Sequence, residues 1–277
     1  EILLKPPEHY QRLGIELRLG QLATAVDLDR RELVLEPGER LPFAVLLIAT
    51  GAEPVRLRLP GFDVPGVRYL RSLADAQALR EDLSRAERVL VVGCGFIGAE
   101  VAASARTLGK QVTVVDPLPV PLAGPLGEEV GGILAEVHRR HGVELRLGQK
   151  VAELRGHRSV EEAVLESGER IACDLVVVGV GVRPAVALFQ GSGLQIENGI
   201  LVDEHCATGV PGVYAAGDVA NWWHPAIGRR LRVEHFDNAA QQGAAAARAI
   251  AGNPQPYAPV PYFWSDQYDL NLQYAGY

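Results

Sequence analysis

Short unbroken apolar runs punctuate the chain at Leu46–Ile48, Val89–Val92, Leu175–Val178 and Val213–Ala216. Runs this short, closed by glycine, read as strands buried on both faces, the kind a parallel sheet contains. Between them lie stretches with a helical period. Ser72 can cap a helix running to about Ala86, with Asp75 at the reciprocal position of a capping box. A second helical run, Glu100 to Leu108, stops at Gly109. A third, Glu128–Arg140, follows the proline-rich loop 117–127. Asp237 or Asn238 can cap a last helix built almost wholly of small residues, from Ala239 to Ala247. Strands alternating with helices in this way predict an α/β fold with a parallel sheet.

The pattern repeats. Gly14-Ile-Glu-Leu-Arg-Leu-Gly-Gln21 returns as Gly142-Val-Glu-Leu-Arg-Leu-Gly-Gln149, and Leu35-Glu-Pro-Gly-Glu-Arg40 as Leu165-Glu-Ser-Gly-Glu-Arg170. The run Leu46–Gly51 likewise matches Val176–Gly181. Each copy forms a hairpin around Pro-Gly or Ser-Gly and then enters an apolar strand that ends in glycine. Only the second copy carries its own leading strand and glycine turn. By the repeat, the counterpart in the first copy belongs about 40 residues or more upstream of Glu1, with a second dinucleotide site. The absence of methionine points the same way.

That leading stretch, Val89-Leu-Val-Val-Gly-Cys-Gly-Phe-Ile-Gly-Ala-Glu100, holds the clearest chemistry. Gly93 suits the tight turn, Gly95 the approach of a pyrophosphate, and Gly98 the close packing of helix on strand. The free N–H groups at the start of the helix face the phosphate charge. A second strand, Gln111–Val115, ends in Asp116 at close to the ~20-residue spacing of a ribose-binding acid. A carboxylate there accepts a 2′-OH and repels a 2′-phosphate, so NADH is expected over NADPH.

Composition narrows the field. A net charge of −7 argues against a general nucleic-acid binder. No run approaches the ~20 apolar residues of a membrane helix. The three cysteines, Cys94, Cys173 and Cys206, form no Cys-x-x-Cys or zinc pattern. They read as small buried residues of a protein in a reducing cytoplasm, with no structural metal.

Together with Ala49-Thr50-Gly51 and Tyr214-Ala-Ala-Gly-Asp218, the two nucleotide-binding units resemble the FAD-dependent pyridine nucleotide oxidoreductases. Arg232-Val-Glu-His-Phe-Asp-Asn-Ala239 and Tyr262-Phe-Trp-Ser-Asp-Gln267 are similar to the ferredoxin and rubredoxin reductase branch, whose signatures apoptosis-inducing factor shares. The resemblance covers essentially the whole chain. It implies two Rossmann-like, glutathione-reductase-like domains, the NAD domain inserted into the FAD domain. Residues 1–85 would be a partial FAD-binding domain, 86–185 the NAD(H)-binding domain, 186–252 the FAD return segment, and 253–277 the start of a C-terminal interface domain.

On that resemblance Ala23, Ala49, Thr50, Gly51, Arg56, Gly217 and Asp218 bind FAD. Arg56 stands one position later than the usual phosphate-binding arginine of the family. Gly93, Gly95, Phe96, Ile97, Gly98, Glu100, Asp116 and Gly181 bind NAD(H). Glu234, His235, Phe236 and Trp264 lie at the nicotinamide and flavin edge, with Glu100 and Trp264 the catalytic pair. Structural readings stand beside several of these: a turn Asp at 218, core aromatics at 96 and 264, a dipole-complementing acid at 100 and a capping or exposed His at 235.

The implied activity carries a hydride from NADH to FAD and then electrons to a ferredoxin- or rubredoxin-type iron–sulfur protein, with positioning as most of the catalysis. Arg229, Arg230 and Arg232 form either a basic dock for that acidic partner or a solvated face. The alternatives are an NADH oxidase or disulfide reductase of the same superfamily and an NADH-gated interaction protein.

Overall fold

The computed structural model describes residues 4–276. They pack as two compact units. Of the described residues, the larger comprises 51–184, 233–240 and 259–276, the smaller 4–50, 185–232 and 241–258.

The larger unit is built on a five-stranded sheet in the order Val67–Tyr69, Leu175–Val178, Arg88–Val92, Gln111–Asp116, Val143–Leu147. Every neighbouring pair is parallel. The apolar runs are this sheet's inner strands. Val89 and Val91 point to one face, packed with Ala99, Ala102, Leu79 and Leu83 of two helices. Leu90 and Val92 point to the other, packed with Val151, Ala163 and Leu165 of an antiparallel meander. Period-two alternation on a strand covered on both faces leaves no place for a polar residue. Each such side chain contributes about 2 kcal/mol by leaving water.

Helix Leu73–Arg85 begins where the capping box predicts. Asp75 N–H donates to Ser72 Oγ at 3.1 Å, and Ser72 N–H donates to the Asp75 carboxylate at 2.8 Å. Helix Phe96–Thr107 starts with Gly95 as its N-cap, earlier than the apolar pattern suggests. Helix Ala123–Arg140 also starts early. Its Gly127, at φ +74°, breaks the helical geometry, and the expected start at Glu128 marks the part beyond that kink. Helix Phe236–Ile250 places Asp237 and Asn238 inside its first turn rather than at the cap. His235 C=O accepts the Ala239 N–H at 3.0 Å, and the Asn238 side-chain amide donates to Val233 C=O. The unit closes with the hairpin Tyr262–Gln267 and Leu270–Ala275.

The smaller unit holds the first copy of the repeat. The meander Ala23–Asp27, Glu32–Leu35, Glu39–Pro42 leads to strand Leu46–Ile48, which pairs in parallel with Val213–Ala215. One difference separates the copies. Val143–Leu147 is a strand because Gln111–Asp116 lies beside it. The matching residues 15–19 join no strand among the described residues, and Ile15, Leu17 and Leu19 are exposed.

The compact units divide at Thr50–Gly51, whereas the expected cofactor domains divide between residues 85 and 86. Residues 51–85 belong with the larger unit for three reasons. Ala52–Pro54 pairs with Val182–Pro184, Val67–Tyr69 joins the main sheet, and Leu79 and Leu83 enter its core. The expected 186–252 and 253–277 segments are divided as well, since residues 233–240 and 259–276 pack in the larger unit. Among the described residues no helix is long and apolar enough to cross a membrane.

Candidate functional site

The order of the main sheet reverses between the Arg88 and Leu175 strands. The carboxyl ends of two such strands are where open α/β sheets bind ligands. The glycine turn lies there. Gly179 N–H donates to Val92 C=O at 2.8 Å, holding the two strand ends together. Gly93, at φ +97°, is packed so that a Cβ would come 2.5 Å from Gly179 O. A Cβ on Gly98 would come 1.9 Å from Gly93 O, so the helix can approach its strand only without one.

Gly95 differs from both. It caps the helix at φ −73°, ψ −168°, backbone that any residue adopts. A Cβ there would meet no protein atom within 4 Å. Neither backbone strain nor packing against the described residues requires glycine at 95, and without a Cβ the backbone at this helix start stays open to close approach by a ligand. Ile97 lies in the first turn of the same helix, beside the core. Gly181, at φ +100° and exposed, follows the neighbouring strand, and its C=O accepts the Val55 N–H at 3.0 Å.

Asp116 ends the second strand and is 7% exposed. One carboxylate oxygen accepts the Cys94 N–H at 2.5 Å and the other the Leu118 N–H at 2.7 Å. The acid thus ties the glycine turn to the loop beyond its own strand. A carboxylate has about four lone-pair sites, so acceptor capacity remains for a hydroxyl.

Glu100 stands one turn along the helix from Phe96, on the same face. The strand Tyr262–Gln267 runs past that face. Phe263 meets Phe96 edge-on at 4.5 Å between ring centroids, and Ser265 Oγ–H donates to Glu100 Oε1 at 2.6 Å. Burial pushes the Glu100 carboxyl above its usual range, and the Ser265 hydrogen bond pulls back. Glu100 also lines an apolar cleft of about 220 Å³ with Leu70, Leu79, Leu83, Ile97 and Val101. His235 packs on Phe263 at 4.8 Å.

Trp264 points the other way from Phe263 and Ser265, half-exposed beside Phe236 and Tyr262. Strand alternation therefore sets the two expected catalytic residues apart, Glu100 against the buried face and Trp264 on the opposite one. Glu234 is exposed at the approach to the last helix. Gly51, at φ +71°, lies against the Arg71 guanidinium. Arg56 lies over the ring of Tyr69 at 4.8 Å, a cation–π contact within the unit.

Ser265, Gln267 and His138 were not among the residues expected from the sequence. Gln267 and His138 are fully buried and hydrogen-bonded to one another. Ser265 and Gln267 belong to the Tyr262–Gln267 stretch of the family resemblance, three aromatics followed by three polar residues, and nothing in the helical pattern around His138 marks that residue.

In the smaller unit Ala49 and Thr50 follow strand Leu46–Ile48, and Thr50 Oγ donates to Ala185 C=O at 2.8 Å. Ala23 lies half-buried opposite Leu35. Gly217, at φ +79°, and half-buried Asp218 form a turn at the end of strand Val213–Ala215. Gly217 N–H donates to the side-chain oxygen of Gln242 at 2.8 Å, while Gln242 Nε2 is buried with no partner among the described residues. A buried amide donor left unsatisfied costs about 1–3 kcal/mol, and it lies beside a strand-end acid suited to accept hydroxyls.

Two of the three dock arginines are engaged inside the unit. Arg230 donates to the carbonyls of Val202 and Asn221, and Arg232 to the side chain of Asn198. All three cysteines are buried, their thiols pushed up to about 12 chiefly by burial. Among the described residues no cluster of three or more His, Cys, Asp or Glu could hold a metal ion.

Residues 3–243 match the family model described as pyridine nucleotide-disulphide oxidoreductase. The chain is 40% identical over 270 residues to the ferredoxin–NAD(+) reductase component of the anthranilate 1,2-dioxygenase system of Burkholderia cepacia, covering 96% of this chain and 66% of the relative. It is 34% identical over 276 residues to rubredoxin-NAD(+) reductase of Pseudomonas putida, covering 99% and 72%. The crystal structure of the ferredoxin reductase for the CYP199A2 system of Rhodopseudomonas palustris superposes with a TM-score of 0.95 at 35% identity, covering 98% of this chain and 67% of that one. The chain thus spans about two thirds of the length of the relatives it matches. The reversed sheet order, the glycine turn and these likenesses agree: the chain belongs to the pyridine nucleotide-disulphide oxidoreductase family.

Proposed function

We propose that the protein oxidises NADH through bound FAD and delivers the electrons to a ferredoxin- or rubredoxin-type iron–sulfur protein in the cytoplasm. The observation that carries the nucleotide half is the placing of the glycine turn, with Gly95 open to approach at a helix start on the switch point of a parallel sheet. There the N–H groups of Phe96 and Ile97 would meet the pyrophosphate. Asp116 would accept the ribose 2′-OH, and its charge would disfavour a 2′-phosphate. Gly93 and Gly98 keep the turn tight, and Gly181 leaves the neighbouring strand end open. Glu100 would orient the nicotinamide amide.

The smaller unit fits a flavin nucleotide by its donor and acceptor set. Asp218 would accept ribityl hydroxyls, the unpartnered amide of Gln242 offers a buried donor beside it, and Ala23, Ala49, Thr50 and Gly217 would offer backbone. In the larger unit, family likeness alone assigns Gly51 and Arg56 to FAD and Glu234, His235, Phe236 and Trp264 to the nicotinamide and flavin edge. Bound FAD would supply the exchange between two-electron and one-electron chemistry that a nicotinamide donor and an iron–sulfur acceptor require. The likeness to relatives named as ferredoxin and rubredoxin reductases supports that acceptor class.

The test is stopped-flow mixing of the FAD-loaded protein with NADH or NADPH, followed by an oxidised two-iron ferredoxin or a rubredoxin. NADH is expected to bleach the flavin faster than NADPH, and one of the two acceptors to restore it. Flavin that NADH leaves oxidised would remove the reading. Reduced flavin that neither acceptor restores would remove its second half.

A further inference from the structure

The strand Tyr262–Gln267 turns Phe263, Ser265 and Gln267 inward. Three polar or aromatic residues on one strand face, about 7 Å apart, match the rise of one turn between Phe96 and Glu100 on the facing helix. Phe263 meets Phe96 and Ser265 meets Glu100, and the strand then carries Gln267 to the buried His138 of the Ala123–Arg140 helix.

The hydrogen bonds along this line have a direction. Gln267 Nε2–H donates to Ser265 Oγ at 3.1 Å, and Gln267 Oε1 lies 3.0 Å from His138 Nε2. An amide oxygen only accepts, so His138 carries its proton on Nε2. His138 Nδ1, 3.0 Å from the Tyr268 hydroxyl, is then the acceptor of that O–H. Ser265 receives from Gln267 and so gives its own proton to Glu100 Oε1. From Tyr268 to Glu100 each donor points the same way.

The far end is anchored. Tyr268 sits at φ +59°, a conformation costly for a bulky residue, and its ring stacks on His141 at 3.6 Å and 6°. Ser265, Gln267 and His138 are each at most 1% exposed. Buried polar chains add little to stability over apolar packing and serve where an arrangement must be specified.

We propose that Ser265, Gln267 and His138 are positioning residues for Glu100, committing its Oε1 as an acceptor and leaving Oε2 to receive the amide N–H of the nicotinamide. This rests on the reading that the glycine turn binds NADH. The chain decides which oxygen meets the ligand, and its Ser265 hydrogen bond favours the ionised carboxyl while burial opposes it. Asp266, next along the strand, is the charged group whose field opposes ionisation. The apolar cleft presents Leu70, Leu79, Leu83, Ile97 and Val101, and beyond Gln267 burial keeps His138 neutral.

The test compares the FAD-loaded wild type with Ser265→Ala, Ser265→Thr and Gln267→Leu. NADH binding is followed by calorimetry across pH, beside steady-state kinetics and thermal melting. Without the Ser265 hydroxyl the Glu100 carboxyl holds its proton to higher pH, so the acidic loss of NADH affinity should move upward. Near neutral pH, Ser265→Ala should weaken NADH about tenfold, the scale of one hydrogen bond to a charged group. That loss should appear in KM with kcat little changed. Ser265→Thr should restore both affinity and pH profile, and Gln267→Leu should give a smaller shift in the same direction. A Ser265→Ala protein with wild-type affinity and pH profile would overturn the proposal while NADH reduction of the flavin still stood. So would equal defects in the Ala and Thr variants, which would mark disturbed packing. A wild type that binds no NADH would remove the functional reading and this proposal with it.

Discussion

The three glycines of the turn separate the demands of folding from those of binding. At Gly98 a Cβ would overlap Gly93 O at 1.9 Å, and at Gly93 it would press on Gly179 O at 2.5 Å. These are requirements of the fold. At Gly95 the added atom meets nothing. Gly98→Ala is therefore expected to lower stability by about 1–3 kcal/mol or more, as overpacking does. Gly95→Ala should change it by less than about 1 kcal/mol, the difference between two N-cap residues. Its effect should fall on NADH, weakened roughly tenfold or more, or ~1.4 kcal/mol. Thermal melting and NADH titration of both variants check this, and a Gly95→Ala protein with unchanged affinity would remove the argument from Gly95. The spacing alone announced these glycines and Asp116. It could not announce that Asp116 also holds Cys94 N–H and Leu118 N–H, because those bonds depend on where two loops meet.

Among elements, those whose ends are written in local chemistry were the legible ones. Ser72 and Asp75 state the start of their helix outright, and the structure shows both hydrogen bonds of the box. Replacing Ser72 with alanine should cost about 1 kcal/mol, measured by denaturant unfolding. The Ser72 N–H and, after it, the Ser72 Oγ–H, which donates to the same carboxylate at 2.8 Å, hold the Asp75 carboxyl below its usual range, and alanine keeps the first but loses the second. That contribution is present above the ordinary carboxylate value of 3.8 and is lost as pH falls through the depressed one. The difference between Ser72→Ala and wild type should accordingly shrink in acid to the part owed to the Asp75 N–H bond to Ser72 Oγ; a difference of unchanged size there would remove the Oγ–carboxylate bond as a contributor. The Phe236 helix was less legible. Asp237 and Asn238 are good capping residues, but the chain turns helical before them, and Asn238 bonds back to Val233 instead. Similarly, the Ala123 helix hides its first turn ahead of a kink that only the φ of Gly127 records. The polar chain of the Tyr262 strand was not legible at all, since no local pattern says which helix a strand will face.

For the molecule as a whole, the internal repeat marks the order of elements, while the compact units follow a different division from the cofactor domains that the resemblance implies. Sequence similarity marks copies, whereas compactness follows strand pairing, and Ala52–Pro54 and Val67–Tyr69 pair with the second copy's strands. The cysteines give each unit its own reporter: Cys94 and Cys173 lie in the larger, Cys206 in the smaller. With thiols pushed up to about 12, only about one in ten thousand is thiolate at mildly alkaline pH, and none is exposed. Labelling by a thiol reagent must wait for a unit to open. A ligand that binds only the closed form lowers the open population in proportion to its occupancy. If NADH binds the glycine turn and the units open separately, saturating NADH should slow labelling of Cys94 and Cys173 together and leave the rate at Cys206 unchanged. Mass spectrometry of timed labelling reads all three sites in one experiment. Slowing of Cys206 equal to that of Cys94 would show a single opening transition, and an unchanged rate at Cys94 would put the nucleotide somewhere other than the glycine turn.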